Sequence, residues 1–181
     1  MKLGHGKLYT LLGIIALTLV ASLTFVAPHT AAQNTRESAS GHGTLLVTDP
    51  NGKQVRRQFS FNAQRKADGT VTGQAVVHNP AFITPEGRYR SNIQISCMKV
   101  VGNQAFLGGS VRRTNDQGLE EGGFDAAFFI VQDNGEPGKD KDAISYVFFD
   151  NAVGPEACTG IQPGDFGPLN PIESGNIQVR Q

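Results

Sequence analysis

The chain has 181 residues, and its 16 basic and 16 acidic side chains give no formal net charge. The basic residues form no long run, because Arg56-Arg57 and Arg112-Arg113 are pairs within predicted strands, where neighbours point to opposite faces. This excludes the basic patch on which nucleic-acid recognition depends. With 22 Gly and no Trp, the composition is typical of a turn-rich β protein rather than a helical one.

The N-terminal segment has the layout of a secretory signal peptide. Lys2 and Lys7 make a positive start, residues 8–26 form an apolar run, and small residues precede Gln33 as at a cleavage site. We predict that residues 1–32 are a signal peptide, and that the secreted protein has no membrane contact after its removal. An uncleaved N-terminal membrane anchor is the alternative, because the run approaches the roughly 20 residues of a transmembrane helix.

The N-terminal part of the remaining chain predicts a lead-in and two strands. Residues 33–40 are polar and unpatterned, which predicts a flexible lead-in to a single β-domain over residues 41–181. The first predicted strand covers residues 44–48. The second covers residues 54–64 and has the clearest alternation in the chain. Its apolar face carries Val55, Phe59, Phe61 and Ala63. Arg57 interrupts that apolar set.

The middle of the chain predicts one strand and a long β-hairpin. The strand covers residues 70–78 and ends at Asn79-Pro80, because Pro cannot donate a hydrogen bond to a neighbouring strand. A loop is predicted at residues 81–87. The hairpin covers residues 91–113 and turns at Gly102-Asn103. The apolar face of its first strand carries Ile93, Ile95 and Cys97.

Two later stretches are apolar on both faces. Residues 124–132 and 143–149 are therefore predicted to be strands that are covered on both sides. A charged turn over residues 133–142 separates them. Residues 150–175 form a long Pro- and Gly-rich connection, which needs an anchor to hold one conformation. A last strand is predicted at residues 176–180.

Strand number and connection length together predict the fold class. About eight short strands, mostly joined by short turns, indicate an all-β fold, namely an antiparallel barrel with mostly up-and-down connections. A two-sheet β-sandwich is the alternative.

Both cysteines, Cys97 and Cys158, lie in the part predicted to be exported. An even count in an oxidising compartment predicts one disulfide, which would anchor the long connection. Two free thiols or half of a metal site are the alternatives. The histidines of the exported part, His42 and His78, have no ligand spacing to either cysteine.

Four segments carry a resemblance to known proteins. They are Phe59–Ala63, Cys97 with Val100–Ala105, Val131–Gly138, and Gly175–Val179. Together they resemble a group of exported bacterial β-domain proteins of unknown function, over most of the chain after residue 32. The resemblance implies export and a β fold. It implies no activity and no catalytic residue.

The charged turn is a candidate calcium site. Asp133, Glu136, Asp140 and Asp142 supply carboxylates of the kind that bind hard cations. Their spacing differs from that of the twelve-residue calcium loop, and Lys139 and Lys141 oppose their charge. We therefore favour a solvated turn whose charges prevent edge-to-edge aggregation, and predict no metal.

Catalytic motifs are absent from the sequence. Ser110 follows two glycines but lacks a nucleophile elbow, so neither a catalytic residue nor a cofactor is predicted. We predict an exported, non-enzymatic binding or structural β-module of unknown ligand. The alternative is a small barrel that binds or isomerises an apolar small molecule in a calyx. The aromatic residues that would line the calyx, or fill a solid core, are Phe59, Phe61, Phe106, Phe124, Phe128, Phe129, Tyr146, Phe148 and Phe149.

Overall fold

The structure is a computed structural model that describes residues 37–48, 51–84, 87–115, 120–121 and 124–181, with no side-chain detail at 79–84, 87–88 and 120–121. The predicted signal peptide and its cleavage site lie outside these residues. Within the described ranges, no helix has the length and hydropathy needed to cross a membrane.

The described residues form one antiparallel sheet with eleven strands and a 3₁₀ helix at Pro155–Gly160. The strands are β1 Glu37–Thr48, β2 Gln54–Arg65, β3 Val71–Thr84, β4 Gly87–Val101, β5 Gln104–Asn115, β6 Glu120–Glu121, β7 Ala126–Gln132, β8 Ala143–Ile144, β9 Phe148–Asp150, β10 Asn170–Pro171 and β11 Ser174–Arg180. Their order is β10-β8-β7-β5-β4-β3-β2-β1-β11, with β6 beside β5 and β9 beside β7. The sheet curls around its inner face, which confirms the predicted all-β, barrel-like class.

Several strand boundaries differ from the prediction. β1 begins at Glu37 and pairs with both β2 and β11, so residues 37–40 belong to a strand and not to a flexible lead-in. β3 continues past Pro80, and its pairing with β4 shifts register between Asn79 and Ile83. An irregularity of this kind tolerates proline, which has no N–H group to donate to the neighbouring strand. The loop predicted at residues 81–87 is therefore largely strand.

The inner face of the sheet holds the main hydrophobic core. Every second residue of β2 from Arg57 to Ala63 is buried, and the residues between them are exposed. Phe61 packs edge-on against Phe129 of β7, with ring centroids 5.7 Å apart. The hairpin turn between β4 and β5 forms as predicted, with a φ of 59° at Gly102.

A second, smaller apolar cluster lies on the opposite face of the sheet. It contains Cys97, Ala126, Phe128 and Cys158, with Ala157, Ile161 and Phe166 packed against it. The segment around the 3₁₀ helix covers this face, so β7 is buried on both sides as its sequence predicts. Cys97 and Cys158 form the predicted disulfide, with their Cα atoms 6.0 Å apart.

The prediction that Cys97 shares a face with Ile93 and Ile95 is wrong. Ile95 pairs with Gly109 and Cys97 pairs with Gly108, which leaves Ser96 as the extra residue of a β-bulge. A bulge reverses the inside–outside alternation of the residues that follow it. Ile95 therefore lies in the main core, and Cys97 lies in the second cluster.

The turn between β7 and β8 holds the free edge of β11. The Asp142 carboxylate accepts hydrogen bonds from the backbone N–H groups of Ile177, at 2.7 Å, and Asn134, at 2.8 Å. Asp133 accepts one from Val179 at 3.0 Å. Asp142 is fully buried, so the interpretation of this turn as merely solvated is wrong. β11 has no neighbouring strand on this side, and the carboxylates of the turn accept the hydrogen bonds that such a strand would accept.

Candidate functional site

A cavity of about 380 Å³ lies at one end of the curled sheet, on its inner side. We call it the end cavity. It is lined by Val47, Thr48, Arg57, Val77, Tyr89, Ser91, Arg113, Tyr146, Val147 and Phe149. The lining residues from β1 to β5 come from matching ends of those strands, which the antiparallel register brings together. The segment between β8 and β9 adds Tyr146 and Val147, and β9 adds Phe149.

Arg57 is a buried arginine in the lining of this cavity. Its side chain points inward because it shares the buried face of β2 with Phe59 and Phe61, and only 5% of the residue is exposed. Its Nε atom has no hydrogen-bond partner among the described residues, and none of their carboxylates forms an ion pair with it. The nearest stabilising group is the ring of Tyr146, whose centroid lies 4.9 Å from the guanidinium carbon.

Burial lowers the pKa of Arg57 from 12.5 to about 10, an effect that Tyr146 partly opposes. Arg57 thus stays protonated at neutral pH and places a positive charge inside an apolar cavity. Burying a charge without a partner is costly. A site that keeps such a charge is suited to an anion, because an arginine offers several N–H donors in a planar fork.

The second cation of the cavity, Arg113, has a different environment. Its guanidinium carbon lies 4.5 Å from the ring centroid of Tyr89, 4.9 Å from that of Phe149 and 5.4 Å from that of Phe124. The faces of aromatic rings attract cations. Arg113 therefore belongs to an aromatic wall of the cavity, whereas Arg57 depends on a single ring.

The predicted aromatic set is divided between different environments. Phe59, Phe61 and Phe129 fill the main core, which makes most of the interior solid. Phe128 lies in the second cluster, and Phe106 is buried below the ammonium group of Lys99. More than a third of the surface of Phe124 and Phe148 is exposed. From this set, Tyr146 and Phe149 line the end cavity.

The predicted calcium candidates do not converge on one point. Asp133 and Asp142 accept backbone N–H groups, as described above, and Glu136 accepts the amides of Asn176 and Gln178. The Asp140 side chain is 75% exposed and lies beside Lys139. Among the described residues, no three His, Cys, Asp or Glu side chains are arranged to hold a metal ion.

The hydroxyl and imidazole groups considered for catalysis are also apart. Ser110 pairs with Gln94 on β4, and His78 pairs with Arg90 of the same strand. Four residues along a strand span roughly 13 Å. His42 lies on β1, which three other strands separate from β5. The three side chains therefore form no nucleophile–base pair.

Sequence reasoning used the arginine pairs as evidence against nucleic-acid binding and noted Arg57 as an interruption of an apolar set, without assigning Arg57 or Arg113 to a site. The useful signal was the parity of Arg57, which interrupts the apolar face of β2 and therefore had to point inward. The same alternation places Arg113 inside and Arg112 outside. Their meeting at one cavity depends on the pairing of β2 to β5 through β3 and β4, which no local pattern encodes.

Comparison with protein-family models, with curated proteins and with solved structures finds no match to this chain.

Replacing Arg57 by Met should stabilise the protein. Met keeps much of the apolar volume and removes the buried charge, so we expect the free energy of unfolding to rise by about 2 kcal/mol at neutral pH. The pKa of Arg57 is lower in the folded than in the unfolded chain, so the unfolded chain holds this proton more tightly. The difference in the free energy of unfolding between the wild type and Arg57→Met should therefore become smaller as the pH rises above about 10.

Urea unfolding of both proteins, followed by circular dichroism across this pH range, measures the difference. Arg56→Met is the matched control, because Arg56 points outward and its side chain is 62% exposed. Its substitution should change stability little. A marked loss of stability in Arg57→Met would contradict the description of Arg57 as a buried cation without a counter-charge.

Proposed function

We propose that the protein is an exported, non-enzymatic binding module that holds a small, mainly apolar molecule in the end cavity. The observation that carries the proposal is an open cavity of about 380 Å³ beside the main hydrophobic core, with apolar and aromatic residues in its lining. Ligand pockets usually measure about 300–1,000 Å³ and combine apolar walls with a few polar groups. Val47, Val77 and Phe149 supply such walls.

The chemistry of the cavity supports binding rather than isomerisation. An isomerase needs a group that takes up and returns a proton near neutral pH, a role most often filled by His, Asp, Glu or Lys. The described residues that line the cavity include none of these. Its ionisable side chains are those of two arginines and two tyrosines.

Two observations support export. Residues 1–32 have the charge, the apolar run and the small residues of a signal peptide. The disulfide between Cys97 and Cys158 is a bond typical of oxidising compartments.

Filling the cavity should abolish ligand binding. Val147 is half-buried at the cavity, so Val147→Trp would place an indole in the space that a ligand needs. We expect the affinity for the fluorescent probe anilinonaphthalene sulfonate to fall at least about tenfold. Fluorescence titration measures this affinity, and a thermal melt verifies that the variant is folded.

Val101→Trp provides the matched control, because Val101 is 48% exposed at the far end of β4 and lies outside the cavity. Its affinity for the probe should stay within about twofold of wild type. Equal affinities of the two variants, or an absence of saturable binding to the wild-type protein, would refute the end cavity as a ligand site.

A further inference from the structure

We propose that the ligand of the end cavity is a carboxylate with an apolar body, and that it enters head first, so that the carboxylate meets the buried guanidinium of Arg57. This inference rests on the proposed function and adds the chemical class and the orientation of the ligand.

The exposure of the lining residues gives the cavity a direction. Val47, Val77, Tyr89 and Ser91 are each at most 6% exposed, as is Arg57, and they form its closed end. Tyr146 is 41% exposed, and Val147 and Phe149 are half-buried, so these residues form the mouth. Arg57 is therefore screened from solvent, and its guanidinium carbon lies 4.9 Å from the ring centroid of Tyr146 at the mouth. We expect an amphipathic anion that pairs with Arg57 to insert its charged end first, past this ring.

The identity of the head group follows from the donors available. Arginine presents parallel N–H groups that match the two oxygens of a carboxylate. Nε of Arg57 is buried and has no partner among the described residues. An anion placed there would pair with a guanidinium that folding has already removed from water. Binding therefore carries no further desolvation cost for Arg57. A neutral ligand of the same shape would leave that charge unpaired.

The two arginines of the cavity differ in how many rings stabilise them. Arg113 lies among three aromatic rings that stabilise its charge. Arg57 has one ring at 4.9 Å and no carboxylate among the described residues. Arg57 is therefore the cation to which we assign the carboxylate of the ligand.

The remaining walls define the ligand body. Val47, Val77 and Val147 present aliphatic surface, and Phe149 and Tyr146 present ring faces near the mouth. These groups favour an alkyl or aryl body without further charges. Because the mouth residues are partly exposed, the end of the body distant from the carboxylate should remain accessible from solvent.

Isothermal titration calorimetry with decanoate and decanol tests the head group. Wild-type protein should bind decanoate at least about thirtyfold more tightly than decanol, since only decanoate supplies a partner for the arginine fork. Arg57→Met should remove this preference by weakening the binding of decanoate. Arg56→Met should keep the preference, because Arg56 points outward. Arg57→Lys should retain part of the preference, because lysine keeps the charge and loses the fork.

A decanoate with a pyrene at its far end tests the orientation. Head-first entry predicts that this compound binds within about tenfold of decanoate, while its methyl ester binds at least about thirtyfold more weakly than the acid. Weak binding of the pyrene compound together with strong binding of decanoate would overturn the orientation.

The outcomes separate the inference from the function on which it rests. Equal binding of decanoate and decanol, unaffected by Arg57→Met but blocked by Val147→Trp, would overturn the carboxylate and leave the cavity as a ligand site. Binding of neither compound, or binding that Val147→Trp does not reduce, would overturn both.

Discussion

Replacing both cysteines by serine should lower the free energy of unfolding by about 4 kcal/mol. The disulfide joins residues 61 positions apart, and a crosslink over a loop of that size strongly restricts the unfolded chain. Domains of this size are typically stable by about 5–15 kcal/mol, so the loss is a large part of the total. The sheet should nevertheless survive, because its strands pair without the disulfide.

The segment around the 3₁₀ helix should loosen first. At least two contacts of this segment remain without the disulfide. The Lys99 ammonium donates to the carbonyls of Thr159 and Ile161. The ring of Phe166 stacks on that of Phe148, with the ring centroids 4.0 Å apart. Hydrogen exchange should therefore accelerate over residues 155–166 before it does so in β2 to β5. Urea unfolding gives the loss of stability, and exchange followed by mass spectrometry locates it.

Lys99→Met is the control for this experiment, since it removes the contacts to the carbonyls and keeps the disulfide. Its effect on stability should be clearly smaller than that of the double cysteine variant. Unchanged stability after both cysteines are replaced would show that the apolar contacts of the second cluster alone hold the segment.

Asp142→Ala should destabilise the protein by about 3 kcal/mol. The carboxylate is fully buried and accepts the N–H groups of Asn134 and Ile177. Alanine would leave the buried N–H of Ile177 without a partner, which costs about 1–3 kcal/mol, and would remove the hydrogen bond of Asn134 to a charged carboxylate, which contributes about 1.5–3 kcal/mol. The loss should be concentrated at β11, whose outer edge depends on this carboxylate and on that of Asp133.

Asp140→Asn serves as the matched control, because Asp140 lies in the same turn with its side chain 75% exposed, and Asn also tolerates its φ of 62°. Thermal unfolding should show a large decrease in stability for Asp142→Ala and a change of less than about 0.5 kcal/mol for Asp140→Asn. Added calcium should leave the wild-type melting temperature nearly unchanged. A saturable increase with calcium would instead indicate that these carboxylates bind a cation.

Arg57 links stability to the proposed function. Its burial costs stability in the free protein, and this cost is recovered if a carboxylate pairs with it. Arg57→Met should therefore give a protein that is more stable and binds decanoate less tightly. A structural role for Arg57 would predict a loss of stability instead.

Local patterns in the sequence determined the parts of this fold that depend on alternation. The period of two in β2 identified its buried face, and Arg57 has the parity of that face. The apolar character of β7 on both faces indicated that a second layer covers it. The even cysteine count in the part predicted to be exported indicated the disulfide.

Other features depend on contacts between distant segments and were decided only by the tertiary structure. The bulge at Ser96 reversed the direction of Cys97, and nothing in the flanking residues signals it. Asp142 looked like one charge of a solvated turn until β11, 35 residues later, supplied the N–H group that its carboxylate accepts. The end cavity exists because strand pairing brings Arg57, Tyr89 and Tyr146 to one end of the sheet. Periodicity assigns a residue to a face, but only the pairing register determines which side chains share that face and where the space between them remains open.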